Sequence, residues 1–188
     1  AIEIFQRRAL KRNNIWEKAA ETARKGTRSH TAIELSSEWA YYDQRILPDL
    51  EWTSPDYDDS AWKRGKGSLG YGDEGLTTVI DKGDDPKNYP ITAWFRKTFE
   101  CSEELNVQSL ALQLLVDDGA VIYLNGQEVH RENMPSGFID QHSLASLSVW
   151  EHFETSRLIR HFPADFLVPG KNVIAVAGRG PESVDAAR

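Results

Sequence analysis

The dipeptide Asn125-Gly126 stands between two β-prone runs, residues 120–124 and 127–130. Asn and Gly both tolerate a positive φ, which the two central residues of a type I′ turn require. The dipeptide therefore predicts a tight hairpin between two antiparallel strands. A chain that contains such a hairpin is expected to contain further short strands.

Short β-prone segments separated by turns run from residue 31 onward, with no helical pattern between them. These segments are residues 36–42, 93–100, 110–116, 158–159 and 173–176. Residues 65–75 hold five glycines, which is too many for a regular element. Several short strands joined by turns predict a mainly β protein, folded as an antiparallel β-sandwich.

Residues 2–25 show a helical periodicity instead. One side of a helical wheel carries Ile2, Phe5, Ala9, Trp16, Ala19, Ala20 and Ala23. Gly26, just after Lys25, is a typical helix end. The pattern predicts an N-terminal amphipathic helix, and thus a basic helix or linker over residues 1–30 followed by a β-sandwich domain over residues 31–188.

Charge is distributed unevenly along the chain. Residues 1–31 hold eight Lys and Arg against three Glu, a balance of +5, so the remainder carries −12 of the formal total of −7. The acidic body argues against nucleic acid as a partner. The basic segment is either a solvated helix face or an arm that docks on an acidic surface.

Membrane insertion and disulfide chemistry are both disfavoured by the sequence. No stretch approaches the roughly 20 apolar residues that cross a bilayer, so no membrane span is expected. Cys101 is the only cysteine, so it forms no internal disulfide, and its position in a β-prone segment is typical of a small buried residue.

Several short motifs occur in an order that resembles the galactose-binding-like jelly-roll domains. The motifs are Trp39-Ala-Tyr-Tyr-Asp43, Pro55-Asp-Tyr-Asp-Asp-Ser-Ala-Trp62, Gly67-Ser-Leu-Gly-Tyr-Gly72, Ile91-Thr-Ala-Trp-Phe-Arg-Lys-Thr-Phe99, the run from Val116 to Val129, Arg131-Glu-Asn-Met-Pro135 and Pro169-Gly-Lys-Asn-Val-Ile-Ala-Val176. The likeness covers roughly residues 39–185. It implies an accessory module of a larger secreted bacterial protein, located outside the cell, in the periplasm or at the cell surface, with a carbohydrate-binding or spacer role.

The chain departs from this family pattern near its end. The family continues beyond the position of Val184-Asp185 into one more strand, whereas this sequence stops at Arg188. Either the sequence is cut, or another chain or the residues before Trp39 supply that strand. Residues 173–176 are therefore expected to form an open edge strand at which a partner chain could pair.

Asp117-Asp118-Gly119 is a candidate metal-binding turn. Two adjacent carboxylates suit Ca²⁺, a hard cation that takes about six to eight oxygen ligands, and a bound Ca²⁺ can hold sugar hydroxyls. Two other interpretations remain open: the carboxylates contact sugar directly, or they accept hydrogen bonds from turn amides while Gly119 supplies a positive φ.

Five side chains are candidates for ligand binding. Arg131 and Asn133 carry donors that suit sugar hydroxyls, and they equally suit a structural role, with Arg131 paired to Asp117 or Asp118. Tyr71, Tyr89 and Trp150 lie in loop-like sequence and can stack on the apolar face of a sugar ring. Trp62 and Trp94 are instead expected in the core, because they stand within the β motifs quoted above.

Catalysis by this chain is not expected. The sequence has no GxSxG nucleophile motif, no HExxH zinc motif and no phosphate-binding P-loop. Three hypotheses remain: a carbohydrate-binding or ligand-binding accessory module, a structural domain that docks on a partner chain or a neighbouring catalytic domain, and a noncatalytic fragment of a hydrolase.

Overall fold

The computed structural model describes residues 2–5, 29–44, 46–71, 75–81, 92–103, 107–114, 116, 118–146 and 158–179. The strands of this part of the chain are β1 (Ile2–Phe5), β2 (Ser29–Ile33), β3 (Glu38–Tyr42), β4 (Lys63–Lys66), β5 (Leu69–Gly70), β6 (Thr78–Val79), β7 (Thr92–Cys101), β8 (Ser109–Leu114), β9 (Gly119–Leu124), β10 (Gln127–Glu132), β11 (Leu158–Pro163) and β12 (Gly170–Arg179). One 3₁₀ turn, Ala164–Phe166, follows β11.

Two antiparallel sheets face each other. The smaller sheet has four strands in the order β11-β8-β1-β2, and the larger has six in the order β10-β9-β12-β7-β3-β4. A short parallel pair, β5 with β6, lies beside them. The predicted antiparallel β-sandwich is confirmed.

The hairpin that the sequence predicts joins β9 to β10. Asn125 has φ 51° and Gly126 has φ 84°, so both central residues occupy the left-handed region. Asn125 also bonds beyond the turn: its Oδ1 accepts from the backbone N–H of Val173, and its Nδ2 donates to Oδ1 of Asn172 at 2.8 Å. The same residue therefore sets the turn and ties it to β12.

Aliphatic side chains fill the space between the sheets. The smaller sheet contributes Leu110 and Leu112 from β8, and the larger contributes Ile122 and Leu124 from β9 and Ile174 from β12. Burial of each such side chain stabilises the fold by about 1.5–3 kcal/mol. We call this side of the larger sheet its inner face.

The opposite side of the larger sheet, its outer face, is covered by two loops. Trp94 and Ala175 project from the strands into a cluster that includes Trp52 and Trp62 from residues 46–62, which we call the aromatic loop. Met134 enters the same cluster from residues 133–146, which we call the 133–146 loop. Trp62 and Trp94 are both buried, which confirms their predicted core position.

Arg96 on β7 holds the aromatic loop to the outer face, although its side chain is only 2% exposed. Its Nε donates to Oδ2 of Asp59 at 2.9 Å. Its terminal nitrogens donate to the carbonyl oxygens of Trp52, Ser54 and Tyr57. The guanidinium also lies 5.1 Å from the centre of the Tyr57 ring. One buried cation thus donates to several acceptors of the aromatic loop.

The predicted N-terminal helix is wrong for residues 2–5. This segment is β1, which pairs with β2 on one side and β8 on the other, with Ile2 opposite both Ile33 and Leu112. Backbone bonding on both sides outweighs the weak helical signal of a four-residue end. Residues 6–28, the rest of the proposed helix, lie outside the described residues, and the predicted boundary at residue 30 falls within β2.

The predicted open edge at residues 173–176 is also wrong. These residues belong to β12, which pairs with β7 along Gly170–Arg179 and with β9 from Ile174 onward. A partner chain therefore finds no free backbone there. Two strands that precede Trp39, β1 and β2, complete the smaller sheet instead, and the edge strand β4 carries charged Lys63 and Arg64, which discourage strand addition.

Candidate functional site

Three of the residues singled out in the sequence lie near the start of β9 and the end of β10. These are Asp118, Arg131 and Asn133. Tyr71 is half-buried elsewhere and packs on the cluster formed by Tyr41, Ile80 and Ala93. The remaining candidates, Asp117, Tyr89 and Trp150, lie outside the described residues.

Asn133 closes the base of the 133–146 loop. Its Nδ2 donates to the carbonyl oxygen of Asp118 at 2.6 Å, and its own carbonyl accepts from the N–H of Ser146 at 2.8 Å. Asn133 and Asp118 both have positive φ, 48° and 58°, a conformation that Asn and Asp tolerate better than most residues. These bonds give Asn133 a structural role.

Asp118 is buried, and the described residues contain no group of three or more His, Cys, Asp or Glu arranged to hold a metal ion. Its predicted partner in Ca²⁺ binding, Asp117, is not among those residues. The Ca²⁺ site at Asp117 and Asp118 therefore stays a prediction.

Arg131 holds the turn at residues 135–137. Its Nε and Nη2 bond the two carboxylate oxygens of Glu128 at 2.8 and 2.6 Å, and Nη2 also donates to the carbonyl of Gly137 at 3.1 Å. Its Nη1 donates to the carbonyl of Pro135. Among the described residues, the ion-pair partner of Arg131 is Glu128.

The 133–146 loop has one side packed on the outer face of the larger sheet and one side exposed to solvent. Met134 and Ile139 are buried in the outer-face cluster, whereas Phe138, between them, is 70% exposed and Leu144 is also exposed. Sequence analysis missed Phe138, because nothing local distinguishes an exposed Phe from a buried one. The only signal was its place directly after a Pro-Ser-Gly turn.

Asp140 is an ordered carboxylate in the same loop. Its Oδ1 accepts from the N–H of His142 at 2.9 Å and from Oγ of Ser143 at 2.8 Å. These hydrogen bonds, chiefly the one from Ser143, lower the pKa of Asp140, so it is ionised at neutral pH. The spacing of Asp140 and Ser143 was the available sequence signal, since it is typical of a side-chain-stabilised turn.

A separate ionic cluster joins the two sheets at one side. Glu132 on β10 accepts from Nη2 of Arg160 on β11 at 2.7 Å, and Nε2 of His130 lies 2.9 Å from the same carboxylate oxygen. Burial raises the pKa of Glu132, but the hydrogen bonds from His130 and Arg160 outweigh it, so the pKa is lowered. The cluster links β10 to β11.

The aromatic loop exposes two further apolar side chains, Ile46 and Leu50. The same loop holds five acidic residues, of which Asp49 accepts from the N–H of Glu51 at 3.0 Å and Asp59 bonds Arg96. Among the residues that the structure describes, no helix is long and apolar enough to cross a membrane.

Comparison with known proteins places the fold but names no family. No family model matches the chain, and no curated protein does. Solved structures do match. A β-glucuronidase from glycoside hydrolase family 2 shares 18% identity over 80% of this chain and 14% of its own, with a TM-score of 0.51.

Two further solved structures give the same result. The Bacteroides uniformis β-glucuronidase shares 17% identity over 81% of this chain and 15% of its own, with a TM-score of 0.51. A family 2 glycosyl hydrolase from Bacteroides cellulosilyticus shares 14% identity over 80% of this chain and 18% of its own, again with a TM-score of 0.51. The chain spans less than a fifth of each, and at these identities it shares with them the fold of a β-sandwich segment.

Proposed function

We propose that this chain is a noncatalytic, galactose-binding-like accessory module of a larger carbohydrate-active protein, and that it binds carbohydrate at the exposed surface of the 133–146 loop. One observation carries the proposal. Arg131 on β10 and the backbone hydrogen bond between Asn133 and Ser146 hold this loop in place, yet the loop presents an exposed aromatic ring and an ionised carboxylate, Phe138 and Asp140.

The much greater length of the matched solved structures supports a modular role for this chain. The family 2 β-glucuronidases named above are several times longer than the part that this chain matches. A chain that matches one segment of such a protein is naturally interpreted as a module beside other parts. The same likeness favours carbohydrate as the ligand class and a bacterial secreted, periplasmic or cell-surface location.

Two acidic groups described above, Glu132 and Asp140, lack the raised pKa that the acid of a glycosidase needs. A glycosidase needs one carboxylic acid with a raised pKa to protonate the leaving group, opposed to a second carboxylate. Glu132 and Asp140 both have lowered pKa values, because hydrogen bonds stabilise their charged forms. Neither is suited to donate a proton at neutral pH.

A second function, attachment to a neighbouring protein domain, is favoured by the aromatic loop. Ile46 and Leu50 are exposed there, although Arg96 holds the loop in a fixed position beneath them. Exposed apolar side chains on an ordered loop are typical of a surface that another domain covers.

Affinity gel electrophoresis tests the carbohydrate role. The chain is run through native gels with and without dissolved polysaccharides, in the presence of Ca²⁺ and of EDTA, with bovine serum albumin as the non-binding reference. We expect retardation in at least one polysaccharide gel. Unchanged mobility in every gel, with and without Ca²⁺, would remove carbohydrate binding as the function.

Two additional assays complete the test. Chromogenic glycosides incubated with the chain should release no product above buffer, and measurable turnover would contradict the noncatalytic role. Amide hydrogen exchange of residues 46–51 should slow in the full gene product relative to the isolated chain if the aromatic loop attaches to a neighbour. Equal exchange in both would exclude that attachment.

A further inference from the structure

We infer that Phe138 and Asp140 form a subsite for one neutral pyranose ring, with the ring of Phe138 stacked on the sugar and the carboxylate of Asp140 bonded to its hydroxyls. This inference rests on the proposed carbohydrate-binding function and names the residues and the ligand class that serve it.

The support beneath Phe138 is the first argument. The residue that follows it, Ile139, is buried, and Met134 is buried on the other side of the turn. Arg131 bonds the carbonyl of Gly137, directly before Phe138, and is itself fixed by Glu128. A 70% exposed aromatic ring on so well fixed a turn loses little conformational entropy when a ligand stacks on it.

Open space beside the ring is the second argument. Gly137 has φ 95°, and a Cβ built there would have no atom within 4 Å. The backbone next to Phe138 therefore leaves room for a flat ligand to approach. This absence of obstruction holds among the residues that the structure describes.

Asp140 supplies the third argument. Burial alternates along the chain here: Phe138 is exposed, Ile139 is buried and Asp140 is half-buried, so the first and third lie on the outward side. The carboxylate of Asp140 accepts hydrogen bonds at Oδ1 from His142 and Ser143, and the residue is only half-buried, so part of it is accessible to a ligand. An ionised acceptor two residues from an exposed apolar ring matches a sugar, which has an apolar C–H face and hydroxyls along its edge.

The surroundings favour a sugar over a protein partner. Pro135, Ser136 and Gly137 precede the ring and are exposed, and Gln141 and His142 follow Asp140. A protein interface core needs a contiguous apolar patch, whereas one ring among polar groups suits a small amphipathic ligand.

The negative charge of the chain and of Asp140 determines whether neutral or anionic sugars are expected to bind. The chain carries a formal net charge of −7, and Asp140 adds a fixed negative charge at the subsite itself. An ionised uronic acid would be repelled, so the subsite is expected to prefer neutral polysaccharides over pectin or alginate.

The test measures dissociation constants by affinity gel electrophoresis in neutral polysaccharides (galactan, mannan, xyloglucan) and in anionic ones (polygalacturonate, alginate). Phe138→Ala and Phe138→Leu should each weaken binding to the neutral polymer by about tenfold, because both remove the ring. Asp140→Asn should weaken it by a similar factor, since a charged acceptor is lost while the turn is retained. The matched control is Val79→Ala, which removes a 71% exposed apolar side chain from β6 and should leave binding unchanged.

The outcomes separate the subsite from the function. If the natural chain binds and Phe138→Ala binds equally well, the subsite is wrong and carbohydrate binding stands. If Phe138→Leu binds like the natural chain, stacking is wrong. Preference for the anionic polymers would overturn the neutral specificity, and absence of binding to any polymer would overturn both proposals. Equal melting temperatures of the variants and the natural chain establish that a loss of binding is local.

Discussion

The two faces of the larger sheet are built by the same strands, but the contacts that cover each face are stabilised by different interactions. On the inner face, Ile122 and Ile174 meet aliphatic side chains of a second sheet, and packing alone accounts for the contact. On the outer face, Trp94 and Ala175 meet loops, and Arg96 fixes one of those loops through several hydrogen bonds. Sheet packs on sheet by shape and burial, whereas a loop on a sheet needs donors for its backbone carbonyls.

This difference predicts different responses to mutation. Loss of a methyl group between the sheets weakens the whole domain, because the cluster is shared by both sheets. Loss of the guanidinium on the outer face removes several hydrogen bonds to one loop and should release that single segment. Three experiments measure that contrast.

The largest effect is expected for Arg96→Met, which should lower the free energy of unfolding by about 4 kcal/mol, because the carbonyls of Trp52, Ser54 and Tyr57 and the carboxylate of Asp59 each lose a hydrogen bond from a buried guanidinium. Urea denaturation measures the loss. Limited proteolysis should also cut within residues 46–62. Arg96→Lys keeps the charge but not the several planar donors of the guanidinium. Its free energy of unfolding should therefore lie between those of the natural chain and Arg96→Met. A loss below about 1 kcal/mol would show that the loop is held by its aromatic side chains alone.

Ile122→Ala, the inner-face counterpart, should cost about 3 kcal/mol through lost burial and the cavity left behind. Limited proteolysis of Ile122→Ala should show no preferred cleavage in the aromatic loop, because Arg96 and its acceptors are unchanged. Ile122→Val serves as the control at about 1 kcal/mol. Selective cleavage of the aromatic loop in Ile122→Ala would mean that the two faces are not independent.

Glu132→Gln is expected to have the smallest effect, about 1 kcal/mol at pH 7, because the ion pair that joins β10 to β11 is partly exposed. Its pH dependence is the sharper measurement. The folded-state pKa of Glu132 is lowered, so its contribution is present above the unfolded pKa and is lost as the pH falls through the folded pKa. Unfolding free energies measured from pH 7 to pH 3 should fall less steeply in the variant. Identical slopes would show that the cluster adds nothing to stability.

How far the sequence predicts the fold depends on the range of the interaction. The Asn125-Gly126 hairpin is local, so two residues suffice to predict it. The place of β12 between β7 and β9 is set by pairing partners far away in sequence, and no local pattern distinguishes it from an edge. The run Ile2-Glu3-Ile4-Phe5 fits both a helical and an extended pattern, and only its neighbours β2 and β8 decide between them.

The candidate site follows the same rule. Arg131 and Asn133 are selected from residue type, but their bonding partners are internal, which composition does not reveal: Arg131 bonds Glu128, and Asn133 bonds the carbonyl of Asp118. Phe138 is missed because its exposure depends on Met134 and Ile139 occupying the space beneath the loop. Exposure is a tertiary property, so a single sequence supplies only the residue type.

The central place of β12 has a consequence for synthesis on the ribosome. The β3–β7 pair and the β9–β10 hairpin emerge first, yet in the larger sheet they are joined only through β12, whose residues 170–179 come later. Until those residues leave the exit tunnel, β7 and β9 each expose an unpaired backbone edge to the cytosol. The nascent chain therefore passes through a stage in which chaperone binding competes with aggregation, and translation of β12 ends that stage.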